Sequence, residues 1–338
     1  MQVVDIQNLR IKIYAIVLCI FCLGRVCAQD PHFSQFYSNP LYLNPAFAGA
    51  TECPRISLAY RNQWPNIPGA FSTINATYDQ HINALGGGIG GIVTCDRQGG
   101  GAYVSTVVGL VYSYKINITK KFFLRAGVQA SFVNRYVNWT DLRFPDQYDP
   151  VLGFVRPQTE ERIPETPTSK SYADFSAGLL GYNEYFYVGV SVSHLSRPDE
   201  GFTGIQRLPM RIVAQAGGKI YFRHTFNERR NMEDFYISPN IIYSQQGPNE
   251  EFNYGCYANL RPIVIGLWYR HSFKNSDALI GLIGFQYNGI RIGYSYDLTL
   301  SKLSHGGGGH EISFGMQLGC KQKNRKYKKI EAIPCPSF

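Results

Sequence analysis

Ile290-Arg291-Ile292-Gly293-Tyr294-Ser295-Tyr296-Asp297-Leu298 sets Ile, Ile, Tyr, Tyr and Leu against Arg, Gly, Ser and Asp. Side chains alternate across a strand, so this stretch is a strand with one apolar and one polar face. The same period runs through Glu311 to Leu318, where Ile312, Phe314, Met316 and Leu318 oppose Glu311, Ser313, Gly315 and Gln317. In Val188 to Ser193 valines oppose Gly and Ser. Working outward, the pattern predicts strands at Ile56–Arg61, Phe71–Asp79, Gly86–Asp96, Ala102–Asn117, Phe122–Trp139, Tyr172–Tyr182 and Tyr185–His194. It continues at Met210–Phe222, Phe235–Gln245, Phe252–Leu260, Ile263–His271, Ala278–Tyr287, Ile290–Leu298 and Glu311–Leu318. That is about fourteen strands, and an even number suits a bacterial barrel. Asn288-Gly289 is a strong hairpin signal and Asn183-Glu184 a second tight joint.

Alternation alone also fits a soluble sandwich with its apolar face inward. Two features favour a transmembrane antiparallel β-barrel. The apolar faces often end in tyrosine, as at Tyr112, Tyr114, Tyr294 and Tyr296, and the polar faces carry Gly, Ser and scattered charge. Composition agrees: aromatics are 14%, with 24 Tyr and 21 Phe, Gly numbers 34, and charged residues are only 17%. No stretch is long and apolar enough for a transmembrane helix.

The chain opens with a leader pattern over residues 1–28. Arg10 and Lys12 precede the apolar run Ile13 to Leu23, and Val26-Cys27-Ala28 offers a cleavage site. Export makes nucleic acid an unexpected partner despite the net charge of +9, much of which falls in the basic tail 320–338. Eight cysteines become five once Cys19, Cys22 and Cys27 leave with the leader. Cys53 and Cys335 each precede proline near the two ends of the strand series, and an oxidising compartment permits a bond between them. We expect that pair; both thiols free, or bonded elsewhere, stays open.

Residues 29–55 lie between leader and strands. Pro31, Pro40 and Pro45 hold this segment extended or turning, and helix periodicity is absent. Phe33, Phe36, Tyr37, Tyr42 and Phe47 need burial, so the segment, Asn44-Pro45 included, is expected in or across the periplasmic mouth as a plug. An ordinary ordered loop is the other reading. The barrel proper is assigned to 56–319. Three long connections interrupt it: Asp141 to Lys170, Ser196 to Leu208 and Arg223 to Asp234.

Chemistry is sparse. The histidines form no metal-binding pair, no Ser-His-Asp or Cys-His context is visible, and Gly86 to Gly91 precedes a strand rather than the helix a phosphate loop needs. No enzyme activity, cofactor or metal is expected. The loop Asp141 to Lys170 mixes Arg143, Arg156 and Arg162 with acids, and carries Phe144, Tyr148 and Phe154 as candidate partner-binding anchors.

The entry segment Asp30 to Gly49, with Tyr60-Arg61-Asn62-Gln63-Trp64-Pro65, Ser72 to Asp79, Phe144-Pro145-Asp146-Gln147 and His194-Leu195-Ser196-Arg197-Pro198, resembles the PorP/SprF family of the type IX secretion system. Ile237-Ser238-Pro239, Leu267-Trp268-Tyr269-Arg270, Gly293 to Asp297, His310 to Ser313 and the ending Cys335-Pro336-Ser337-Phe338 extend the likeness over nearly the whole mature chain. The resemblance implies an integral outer-membrane barrel, in contact with outer-membrane lipid. It implies a partner too: a secreted surface adhesin with a type B C-terminal sorting domain if SprF-like, or other components of the secretion apparatus if PorP-like. A passive porin is the alternative.

Overall fold

The alternation resolves with the polar face inward. In a computed structural model, residues 30–319 are described except 52, 150–152, 157, 161–163, 165–167, 203, 223–234, 261, 273–274 and 301–303. The wall strands are β1 Arg55–Gln63, β2 Phe71–Ile82, β3 Gly87–Gln98, β4 Tyr103–Asn117 and β5 Phe123–Val137. A small hairpin, β6 Tyr148–Asp149 with β7 Gly153–Phe154, stands apart as its own sheet. The wall resumes with β8 Thr168–Tyr182, β9 Phe186–Ser193, β10 Arg211–Gly218, β11 Ile220–Tyr221 and β12 Phe235–Gln246. It finishes with β13 Asn249–Leu260, β14 Ile263–Ser272, β15 Asn275–Tyr287, β16 Ile290–Thr299 and β17 Gly309–Gln317.

Neighbours pair antiparallel throughout. β1 pairs β17, and β10 and β11 both pair β12, so the sheet has no open side. With β10 and β11 counted as one interrupted strand, the wall is a closed barrel of fourteen. Closure removes the edges that an open sheet would expose in lipid. No helix among the described residues is long and apolar enough to cross a membrane.

Burial gives the sidedness. Leu110, Val128, Phe132, Leu267, Ile283 and Ile312 are exposed, while Asn75, Asp79, Ser113, Arg270, Ser295 and Glu311 are buried. An apolar outside and polar inside is the arrangement for a lipid solvent. Tyrosines gather toward both strand ends: Tyr112, Tyr114 and Tyr287 toward one, Tyr60, Tyr294 and Tyr296 toward the other, all exposed.

The two ends differ. At one, β2–β3, β4–β5, β8–β9, β13–β14 and β15–β16 are joined by short turns. Asn288 and Gly289 there have φ of 48° and 82°, both left-handed as a two-residue hairpin requires. The opposite, loop-side end carries the connections 138–167 and 194–210. The third long connection lies at the other end: β11 ends and β12 begins at the short-turn end.

Candidate functional site

Residues 31–49 occupy the lumen. Prolines shape the segment in a way that alternation arguments miss. Pro40 opens a single helical turn, α1, at Pro40–Leu43, and Pro45 opens a 3-10 turn at Pro45–Phe47. Proline is tolerated there because the first N–H groups of a turn have no internal partner. The Asn44 side chain accepts the Ala46 N–H at 2.9 Å, capping the second turn. The expectation of a helix-free segment is corrected to that extent.

Phe33, Phe36, Tyr37, Asn44, Pro45 and Phe47 are buried and Tyr42 is half-buried. Phe33 meets Tyr42 edge-on at 5.1 Å, and Phe36 lies 4.7 Å from the ring of Trp268. Tyr37 sits among Tyr187, Tyr257 and Trp268. The Tyr187 hydroxyl also bonds the hydroxyl of Tyr37 and donates to Asn240.

Charged side chains fasten both ends of the segment. Glu311 accepts the Ser34 N–H at 2.6 Å and the Gln35 N–H at 3.2 Å. Asp297 accepts from Ser34 Oγ at 2.6 Å, Arg61 at 2.7 Å and Arg270 at 3.1 Å. Arg61 also reaches Glu311 at 3.3 Å. Arg270 also meets Glu251 at 3.5 Å, so both buried guanidiniums face carboxylates, the condition for keeping charge away from water. These residues lie toward the loop-side ends of β1, β13, β14, β16 and β17.

Gly49 donates its N–H to Asp79 at 2.9 Å, and Arg125 donates to the carbonyls of Gly49 at 3.0 Å and Ala48 at 2.8 Å. Ser113 Oγ donates to Ala48 O at 2.6 Å. Asp79, Ser113 and Arg125 lie toward the short-turn ends of β2, β4 and β5. Midway, Ser191 donates to Leu43 O at 2.8 Å and Asn44 donates to Leu179 O and Val190 O, each at 3.2 Å. The segment therefore runs the length of the lumen rather than lying only at the short-turn mouth.

The wall makes room for it by omitting side chains. A Cβ on Gly178 would stand 2.0 Å from Asn44 Oδ1, one on Gly127 2.4 Å from Ala46 N, and one on Gly88 2.2 Å from Ala48 O. Within the Gly86–Gly91 run it is Gly88 that serves this close backbone approach.

The loop-side mouth is built from the two long connections. Arg135 pairs with buried Glu200, Trp139 meets Phe202 edge-on at 6.1 Å, and Lys170 pairs with Asp199 at 2.7 Å. The Lys170 ammonium, with the Gln206 and Gly201 N–H groups, holds the Asp199 carboxyl down to about 2. Among the loop residues singled out by sequence, Arg143 is exposed and stacks over Phe154 at 4.7 Å. Phe144 is half-buried, and Tyr148 pairs with Phe154 across the β6–β7 hairpin. Arg156 reaches Glu160 at 2.6 Å on the exposed surface, and Arg162 lies outside the described residues.

A family model described as "Type IX secretion system membrane protein PorP/SprF" matches residues 26–316. The chain belongs to the PorP/SprF family. No curated protein matches. Among solved structures, a Pseudomonas aeruginosa FadL homologue is similar at 11% identity and a TM-score of 0.42, over 81% of this chain and 92% of its own. The KdgM porin is similar at 9% identity and a TM-score of 0.34, covering 78% and 98%. A mutant porin of Rh. blastica is similar at 7% identity and a TM-score of 0.34, covering 78% and 98%.

In this PorP/SprF chain Cys53 is disulfide-bonded, whereas Cys95 and Cys256 are free. Cys335, its expected partner, lies outside the described residues, as do the leader and the basic tail. Sequence reading missed Arg61, Arg125, Arg270, Asp79 and Glu311 as fasteners of the lumen segment. Their one signal was charge at inward strand positions otherwise held by small polar residues.

Proposed function

We propose that this PorP/SprF barrel binds the C-terminal sorting domain of one secreted surface protein and holds it at the outer membrane. A leader cleaved after Ala28 delivers the chain there, and the end bearing 138–167 and 194–210 faces outward. The observation that carries the reading is the lumen segment. Residues 33–49 bond to wall strands on all sides and fill the space a solute would need, which argues against a passive porin. What remains for binding is the loop-side surface. It offers cations and anions together, including Arg143, Arg156 and Glu160. Mixed charge selects one protein surface better than it recruits any polyanion.

Deletion of the gene followed by surface proteomics tests this. Loss of one large adhesin with general secretion intact is expected. Loss of every type IX cargo would assign the core role of PorP-like members, and unchanged cargo with reduced solute uptake would restore the porin.

A further inference from the structure

β8 outruns its neighbour. It pairs with β5 along its whole length, from Thr168 opposite Val137 to Tyr182 opposite Phe123. With β9 it pairs only over Ala177 to Tyr182. The loop-side part, residues 168–176, therefore has a flank with no strand paired to it among the described residues.

Backbone direction alternates along a strand, so odd-numbered residues of β8 point their N–H and C=O toward that flank. The chain leaving β9 meets only the two nearest of them, Phe175 and Ala173. Leu195 donates its N–H to Phe175 O at 3.0 Å and Ser196 Oγ reaches Ala173 O at 3.5 Å. Then it turns away. His194 has φ 60° and Arg197 φ 44°, left-handed values rare for residues with a Cβ. Residues 199–208 fold over the mouth instead, where Glu200 and Leu208 are buried and Lys170 holds Asp199 and Gly201 O. The flanking main-chain groups of Ser169 and Ser171 have no hydrogen bond among the described residues.

This stretch stands clear of lipid. The side chains of Ser169 and Ser171 are exposed, and their hydroxyls accept from Asn134 at 2.9 Å and 2.8 Å. Polar side chains on the outer face mark wall that has left the hydrocarbon band. Native proteins protect such an edge with proline, an outward charge or a covering loop. Here the loop is diverted inward; Lys170 is taken up by Asp199, and exposed Arg197 has no ion-pair partner among the described residues.

We propose that residues 169–173 of β8 are a strand-addition site, onto which an extended segment of the secreted partner pairs, with a carboxylate of that segment meeting Arg197. The inference rests on the proposed partner class, and a strand is the occupant because what is unpaired is main chain, which only another main chain matches along its length.

Two variants and a crosslink test it. Ser171→Pro removes an N–H that faces the flank, not β5, so the β5–β8 ladder keeps its bonds. The double variant Ser169→Ala, Ser171→Ala removes only side chains. Each is expressed in the deletion strain, and folding is followed by heat-modifiable gel mobility. Surface level of the cargo identified by the deletion is expected to fall at least tenfold with Ser171→Pro and to stay normal with the double alanine variant. A photo-crosslinker at Ala173 is expected to join that cargo. Folded Ser171→Pro barrels that keep their cargo would overturn the inference, as would a crosslink joining two copies of this chain. If Ser171→Pro does not fold, the crosslink alone decides. A deletion that loses no cargo overturns the binding reading itself, whereas lost cargo with an indifferent β8 edge overturns only strand addition.

Discussion

Asp297 collects Ser34, Arg61 and Arg270 on one carboxylate oxygen, with all four side chains buried. Asp297→Asn removes the one carboxylate that pairs with both guanidiniums. Breaking a buried pair in this way costs about 3–5 kcal/mol. A lowered guanidinium midpoint of the detergent-solubilised barrel is the expected readout, and an unchanged midpoint would mean the cluster is not what fastens the segment.

At the scale of elements, the strands were legible and the seat for the lumen segment was not. A lipid-facing wall must alternate, so Ile290–Leu298 carries its own signature in nine residues. Gly127 and Gly178 carry none: they sit in ordinary strands, and the reason for them, Ala46 and Asn44, lies far away in sequence. The charged fasteners show only as charge at inward positions, which does not name their partner, since Arg61 and Glu311 meet Ser34 only after the wall has closed. Substitution at the seat is informative for that reason. Gly127→Val suits a strand in its own right, but its Cβ would collide with Ala46 N at 2.4 Å. The barrel should still form, shown by heat-modifiable mobility, while the segment loosens and conductance in planar bilayers rises above that of the parent. A folded, non-conducting Gly127→Val would show that the segment shifts without unblocking the lumen. The long loops were placed by composition, yet composition could not say which end each one serves; strand parity decides that.

For the whole molecule, a polar lumen and an aromatic filling are two halves of one interior. Deleting residues 31–49 exposes buried Asp79, Arg125, Arg270 and Glu311 to water and leaves Trp268 without Phe36 and Tyr37. A barrel that still folds should conduct as an open pore, and one that stays shut would mean the loop-side cover closes it alone. The bond between Ser34 and Glu311 joins residues 277 apart in the chain. The lumen segment is thus locked by β17. Contacts of such high sequence separation place this protein among slow folders. Its interior cannot be finished while the chain is still arriving. A barrel without β17 would hold thirteen strands and lack the Glu311 anchor of its filling, so that end of the segment is fastened only once β17 has closed the wall against β1.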